Sequence, residues 1–340
     1  MTTHERQVFV ARHPARAAQY FHNVITAFIQ KILRPKSKES GLFGQCTAYY
    51  GMVEAQGRGT LHCHMLIWIA GNPNPQELRT KMKSSPSFQA SMFSWLESVI
   101  HCHLPGMKEP SMEVNPEDKS PPKLPTDTQN PQLTREPLID TMSEDEFEKV
   151  FKDTVRNLAI ACNWHEHTHT CWKHVKPGQA KDDRSCRMRI DGSTRALTEL
   201  DPDTESILLK RLHPRINNFN EFVLFLLRCN MDIKYIGSGE AAKALVFYIT
   251  DYITKSTLPT HVGLAAVEYA IKRNKEKFSS STDASDKSID KSLFTKTVMA
   301  IMAKQELSHQ QVMSYMVGGG DSYTSHRFRT VRWGDFDRKV

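Results

Sequence analysis

Residues 50–69, YGMVEAQGRGTLHCHMLIWI, read as a β-hairpin, and the rest of the chain has to be built around it. The first arm is 49–56, the turn is Gly57-Arg58-Gly59 and the second arm is 61–69. Glycine supplies the φ > 0 conformations of a tight reversal. Side chains alternate along a strand, so His62, His64 and Leu66 share one face, while Leu61, Cys63, Met65 and Ile67 share the other. Glu54 and Gln56 point the same way as each other on the first arm. Directly paired residues lie about 4.5–5.5 Å apart, so the hairpin can set that pair opposite His62 and His64. Two imidazoles and a carboxylate on a rigid sheet suit a divalent metal with positions left open for substrate. Glu54 and Gln56 compete for the third ligand position. The opposing reading is an incidental His-x-His, which spacing alone does not exclude.

A chain of 340 residues has room for one large or two ordinary domains. With 39% hydrophobic and 24% charged residues it can bury a sizeable core. No run approaches the roughly 18 apolar residues of a membrane helix, and MTTHERQVFV at the start lacks a signal-peptide core. Seven cysteines beside 15 histidines favour thiols and metal sites in a reducing compartment over a disulfide framework. The formal charge of +7 is a mild bias toward polyanions.

Residues 16–33 carry apolar side chains at helical spacing, Phe21, Val24, Ile25, Phe28, Ile29 and Ile32, and predict a core-packed helix. After the hairpin, Gly71-Asn72-Pro73 is a turn signal, and 74–102 is expected to be helical. Residues 104–138 hold eight of the chain's 17 prolines and read as an extended, mobile surface insertion. Ser143 followed by Glu146 forms a capping box for the next helix. Residues 217–229 are a buried apolar segment, and 231–236 are a strand candidate. Residues 272–292, rich in Ser, Asp and Lys, are expected to be a mobile loop. Residues 293–316 are expected to pack on the domain as an amphipathic segment. The arginine-aromatic mix at 325–333 suits contact with a nucleic-acid backbone and stacking on bases, or else is a frayed end.

Between Cys162 and Cys186 lie three cysteines and four histidines. His165-x-His167-x3-Cys171, and then Cys186 after fourteen more residues, supply four ligands for a tetrahedral structural zinc. Cys162, His169 and His174 are surplus ligands that leave the exact set open. The competing reading is a solvated His-rich loop.

Residues 240–255, EAAKALVFYITDYITK, read as a helix that Ser238 can cap. Tyr248 and Tyr252 are four apart and share a face, with Lys255 nearly on it. Alone, this is a helix with two half-buried tyrosines. Beside the histidine hairpin it suggests phosphoryl transfer with a tyrosine nucleophile, which splits one displacement into two. Lys255 would stabilise a phenolate or phosphate oxygen.

The His-x-His hairpin and the Tyr-x3-Tyr-x2-Lys helix resemble the HUH endonucleases in their two-tyrosine form, with Cys63 as the middle residue. More closely, the chain resembles the N-terminal replication-initiator region of Helitron transposases, the Helitron helicase-like domain. VEAQGRGTLHCHMLIW, the segment 165–188, CNMDIKYIGSGEAAKALVFYITDYITK and SHQQVMSYMVGGGDSYTSH carry the likeness, over most of the chain from about Phe21. It implies an α+β fold, a central antiparallel sheet bearing the histidines with packed helices, plus the Cys/His module. It implies nicking of single-stranded transposon-end DNA in rolling-circle-type transposition, with covalent attachment to a 5′ phosphate and release of a 3′ hydroxyl. His62, His64 and Glu54 match its metal positions, for Mg²⁺ or Mn²⁺, and Tyr248 and Tyr252 match its nucleophiles. A nuclear protein is expected from the likeness. On this reading residues 1–103 are the first part of the nuclease domain and 104–138 the proline-rich insertion. The zinc module falls at 139–192, the second nuclease part with the tyrosine helix at 193–270, a mobile loop at 271–292, and a helix with a basic tail at 293–340. Full Helitron proteins continue into a helicase. No Gly-x4-Gly-Lys-Ser/Thr loop occurs here, so ATP binding is not expected and the chain reads as the nicking part alone. Two other classes remain: a non-catalytic single-stranded nucleic-acid-binding module with structural zinc, and a metal-dependent hydrolase that uses water.

Overall fold

A computed structural model describes residues 3–55, 60–110, 121–122, 130–133, 141–237, 247, 260–279, 285–304 and 308–327. In chain order it contains helices α1 (Thr3–Arg12) and α2 (Pro14–Ala27), strands β1 (Cys46–Ala55) and β2 (Leu61–Ile69), and helices α3 (Pro75–Ser84), α4 (Pro86–Val99) and α5 (Glu144–Leu158). Short strands β3 (Glu199–Leu200) and β4 (Ile207–Leu208) precede α6 (Glu221–Leu227). Then come α7 (Thr260–Phe278), α8 (Asp286–Lys304), α9 (His309–Met316) and β5 (Ser322–Thr324). The protein is thus mixed helix and sheet. Among the described residues no helix is long and apolar enough to cross a membrane. The chain divides into two compact units, Met1–Ile29 with Thr47–Trp68 and Phe247–Val340, and Gln30–Cys46 with Ile69–Val246.

The first unit holds a sheet of strand order β2-β1-β5. β5 runs antiparallel to β1, pairing Tyr50 with Thr324, Gly51 with Tyr323 and Met52 with Ser322. Gly51 is required by its neighbours. A Cβ there would lie 2.9 Å from Cys63 Sγ and 3.0 Å from Met65 Cε, so those two β2 side chains fill the space over the glycine. Helix α9, closed by a capping box of Ser308 and Gln311, packs on α2. Tyr323 continues that contact, its hydroxyl 3.0 Å from His22 Nδ1. α7 and α8 pack together over the buried Ala266, Ala270 and Asn274. Asn274 Nδ2 donates to the Ile289 carbonyl, and Lys296 Nζ donates to Asn274 Oδ1.

The second unit is built on a cluster of Leu104, Val155, Leu158, Ala159, Ile216, Phe219, Leu224 and Phe225. Phe147 and Phe151 on α5 cover it, with the Phe151 and Phe225 rings 5.0 Å apart. The Ser143–Glu146 capping box starts α5: Ser143 Oγ accepts from the Glu146 amide, and the Ser143 amide donates to Glu146 Oε2. Asn220, fully buried, caps α6 by accepting from the Val223 amide at 3.0 Å. Its Nδ2 also donates to the Val99 carbonyl at 3.0 Å, tying α4 to α6.

Four expectations need correction. The helix over 16–33 is α-helical only to Ala27 and then widens into a π-helical turn, Phe28–Leu33. The helix over 74–102 is two helices, because Pro86 lacks an amide and holds Ser85 extended, at φ −131° and ψ 95°. Ser85 then caps α4 by accepting from the Phe88 amide. The strand over 231–236 does not form. Side-chain amides take its carbonyls instead, Asn163 Nδ2 at Met231 (2.8 Å) and Asn218 Nδ2 at Ile233 (3.0 Å). The loop over 272–292 is helical to Phe278 and again from Asp286. Its Lys, Arg and Glu are good helix formers, and packing of α7 on α8 supplies the burial that composition does not reveal. Most of the proline-rich segment 104–138 lies outside the described residues, although Leu104 and Pro105 are buried.

Asn220→Ala removes the α6 cap and leaves the Val99 carbonyl without its donor. The expected loss is about 2 kcal/mol, read as a lower urea midpoint with an unchanged slope.

Candidate functional site

The sheet histidines sit on β2 with Glu54 beside them on β1. His64 Nε2 is 2.9 Å from Glu54 Oε1, both side chains being partly buried. The His62 and His64 rings are T-shaped at 4.7 Å between centroids. Cys63 and Met65 meet Gly51 on the opposite face, so the alternation sorts the candidate ligands from the packing groups. Burial, and the neighbouring His64, lower the pKa of His62 against the smaller opposing pull of Glu54. A neutral imidazole with a free lone pair is the form a metal takes. Burial pushes the Cys63 thiol up to about 12, which keeps it protonated. The three sheet groups do not converge as tightly as the second set does.

That second set lies in the other unit. His165, His167, Cys171 and Cys186 place one ligand atom each within 4.8 Å of all the others. Among the described residues this is the one group of three or more His, Cys, Asp and Glu that close. His165 Nε2 is 3.2 Å from His167 Nδ1, 3.6 Å from Cys171 Sγ and 3.4 Å from Cys186 Sγ. Cys171 and Cys186 are buried and unbridged. The loop geometry follows from short turns. His169–Trp172 is one 3₁₀ turn carrying Cys171, and Asp183–Ser185 is a second, capped by Asp182, that delivers Cys186. The Arg187 amide donates to the Cys171 carbonyl, which pins the two cysteine loops together. Burial, reinforced by His167 and Arg215, holds His165 down at about 4, so it is neutral at physiological pH. Two neutral imidazoles and two thiols that ligate as thiolates fit a tetrahedral ion such as zinc in donor type and number.

Two further residues complete this site and were not apparent in the sequence. His167 Nε2 lies 3.1 Å from Asp183 Oδ1, and Arg215 Nη2 donates to Asp183 Oδ2 at 2.7 Å. Asp183 carries a faint signal, three residues before Cys186. Arg215 carries none, being remote in sequence. Of the other expected residues, Gln56, the turn 57–59, Tyr248, Tyr252, Lys255 and the aromatic-basic residues 328–333 lie outside the described residues. Cys162, His169 and His174 are not members of the four-ligand group.

Residues 1–67 match the family model of the Helitron helicase-like domain at the N-terminus. The first 67 residues are thus similar to the Helitron helicase-like N-terminal domain, a similarity that suggests a transposon-related role. The matched segment includes Glu54, His62 and His64. No curated protein and no solved structure matches the chain.

The protein purified without chelator is expected to hold about one equivalent of tightly bound divalent metal at the His/Cys set. Cys171→Ser and Cys186→Ser should each lower that content and the melting temperature, as read by elemental analysis and a thermal scan. Chelation of the wild type should reproduce the destabilisation.

Proposed function

We propose that this protein nicks single-stranded DNA and transfers the strand through a 5′-phosphotyrosine intermediate, in rolling-circle-type transposition. The observation that carries the reading is Glu54 against His64, with His62 alongside, on a paired strand within the segment matched to the Helitron domain. A Mg²⁺ or Mn²⁺ ion held by His62, His64 and Glu54, with Gln56 as the alternative third ligand, would polarise the scissile phosphate when bound. The phenolic oxygen of Tyr248 attacks the phosphorus, and the P–O3′ bond breaks. The 3′ oxygen leaves with a proton as a hydroxyl, and the 5′ phosphate stays on the tyrosine. The ester keeps the energy of the broken phosphodiester, so a later 3′ hydroxyl can displace the tyrosine without another energy source. Tyr252, four residues on in the sequence, is assigned to the second strand, and Lys255 to charge stabilisation on phosphate or phenolate. An α+β nuclease of the HUH type is the architecture this chemistry needs.

Zinc is the ion we assign to His165, His167, Cys171 and Cys186. Four N and S ligands with no open position make a structural centre, which can hold a loop-rich segment that has little regular structure of its own. The partners are single-stranded transposon ends and a helicase activity, and the compartment is the nucleus. The closed His/Cys set also supports a second reading, a non-catalytic single-strand-binding module with structural zinc.

Labelled single-stranded DNA incubated with protein and Mg²⁺ or Mn²⁺, then run on a denaturing gel, distinguishes these readings. A metal-dependent, protease-sensitive adduct is expected. His62→Ala and His64→Ala should abolish it while leaving the fold intact, and Glu54→Ala should weaken it. Tyr248→Phe should remove most of the first adduct, whereas Tyr252→Phe keeps it and impairs transfer between two strands. Cleavage without an adduct would favour a water-using hydrolase. Binding without cleavage would favour the binding module.

A further inference from the structure

We infer that Asp183 and Arg215 are positioning residues of the His/Cys metal centre, Asp183 presenting His167 Nδ1 to the ion and Arg215 locking Asp183 and His165 to the core. The inference rests on the reading of His165, His167, Cys171 and Cys186 as a metal site. His167 has one nitrogen toward the other ligands, Nδ1 at 3.2 Å from His165 Nε2, and the other toward Asp183, Nε2 at 3.1 Å from Oδ1. Nδ1 is the nitrogen turned to the other ligands, so in a ligating ring the proton sits on Nε2, and the Asp183 carboxylate is the acceptor standing at ion-pair distance from it, short of an aligned hydrogen bond. Trp172 limits rotation from the side, its ring 5.6 Å from that of His167.

Asp183 is itself held. Its second oxygen accepts from Arg215 Nη2 at 2.7 Å. Arg215 is 1% exposed, and its Nε and Nη1 have no partner among the described residues. A buried guanidinium resting on one carboxylate is a poor source of stability, because desolvation offsets much of the attraction. What it supplies is position. The Arg215 carbonyl accepts the His165 amide at 2.7 Å, and the next residue, Ile216, bridges to Trp164 and lies in the hydrophobic cluster. One residue therefore fixes His165 through its main chain and His167 through Asp183. The formal charges also balance: two thiolates neutralise a divalent ion, and Asp183 neutralises Arg215. Outer partners of this kind set ligand orientation and govern affinity without touching the metal.

The test is titration of the full chain with Co²⁺, followed by its thiolate charge-transfer absorption, with Zn²⁺ competition to give the affinity. Asp183→Ala is expected to bind Co²⁺ about 10–100-fold more weakly, with an unchanged absorption envelope at saturation because all four ligands remain. Asp183→Asn, which keeps an acceptor oxygen but no charge, should fall between Asp183→Ala and the wild type. Arg215→Lys should lose less affinity than Arg215→Met, and circular dichroism establishes that each variant is folded. Affinity within about twofold of wild type in folded Asp183→Ala, against the range expected for outer-sphere partners, overturns the inference, even if the melting temperature falls. A changed absorption envelope, meaning a lost ligand, overturns it too. A wild-type protein that takes up no Co²⁺ removes the metal-centre reading and the inference with it, an outcome distinct from the first two.

Discussion

Between the end of α5 and Gly237 the chain buries main-chain amides and carbonyls with little regular secondary structure, and each of them needs a partner other than a helix or ladder neighbour. Buried polar side chains supply many of those partners. Asn163 bonds the Met231 carbonyl, Asn218 the Ile233 carbonyl, and Asn220 both the Val223 amide and the Val99 carbonyl. Arg211 does the same for Ile216 from its guanidinium. The apolar cluster of Leu158, Ile216, Phe219 and Phe225 supplies the burial that makes these bonds worth forming, since water no longer competes for the groups. The four side chains that could hold a metal, His165, His167, Cys171 and Cys186, hang from this framework.

The sheet of the first unit solves a different problem. Strand alternation puts His62 and His64 on one face, and the pairing of β1 with β2 brings Glu54 within hydrogen-bond distance of His64. On the opposite face Gly51 leaves room for the side chains of Cys63 and Met65, which a Cβ there would meet at 2.9 and 3.0 Å. The packing face then carries Cys63, Met65 and Tyr323, and the polar face carries the groups suited to a hard divalent ion. The two sets of candidate ligands thus fall in different units. Oxygen and nitrogen donors stand on the sheet, and sulfur and nitrogen donors that close on one another stand on loops. Open sites suit catalysis and closed ones suit structure.

Much of this was legible in the chain because it depends on local chemistry. The pairing of β1 with β2 rests on period-two alternation, the start of α5 on a capping box that appears as read, and the His/Cys set on ligand type and spacing. All are properties of short windows. The misread segments were those where neighbours distant in sequence decide. Residues 231–236 have strand-like composition but meet asparagine side chains in place of a strand. Residues 272–278 and 286–292 look polar and mobile, yet α7 and α8 bury one another. Pro86 is a local signal, and it splits the helix expected over 74–102 in two.

By itself the sequence determined which residue types could ligate, their spacing, the two faces of the hairpin and the Helitron likeness, since each is a matter of covalent order and local periodicity. Only the tertiary structure decided which of the surplus cysteines and histidines converge, leaving Cys162, His169 and His174 outside the group. It also decided that β5, three residues long and 267 or more positions away from β1, joins the sheet beside the histidine strands. The same holds for Arg215 and Asp183, which meet across 32 residues. A contact of that kind has no periodic signature. It exists because a buried charge must find its counter-charge, and only the folded chain determines which one lies within reach.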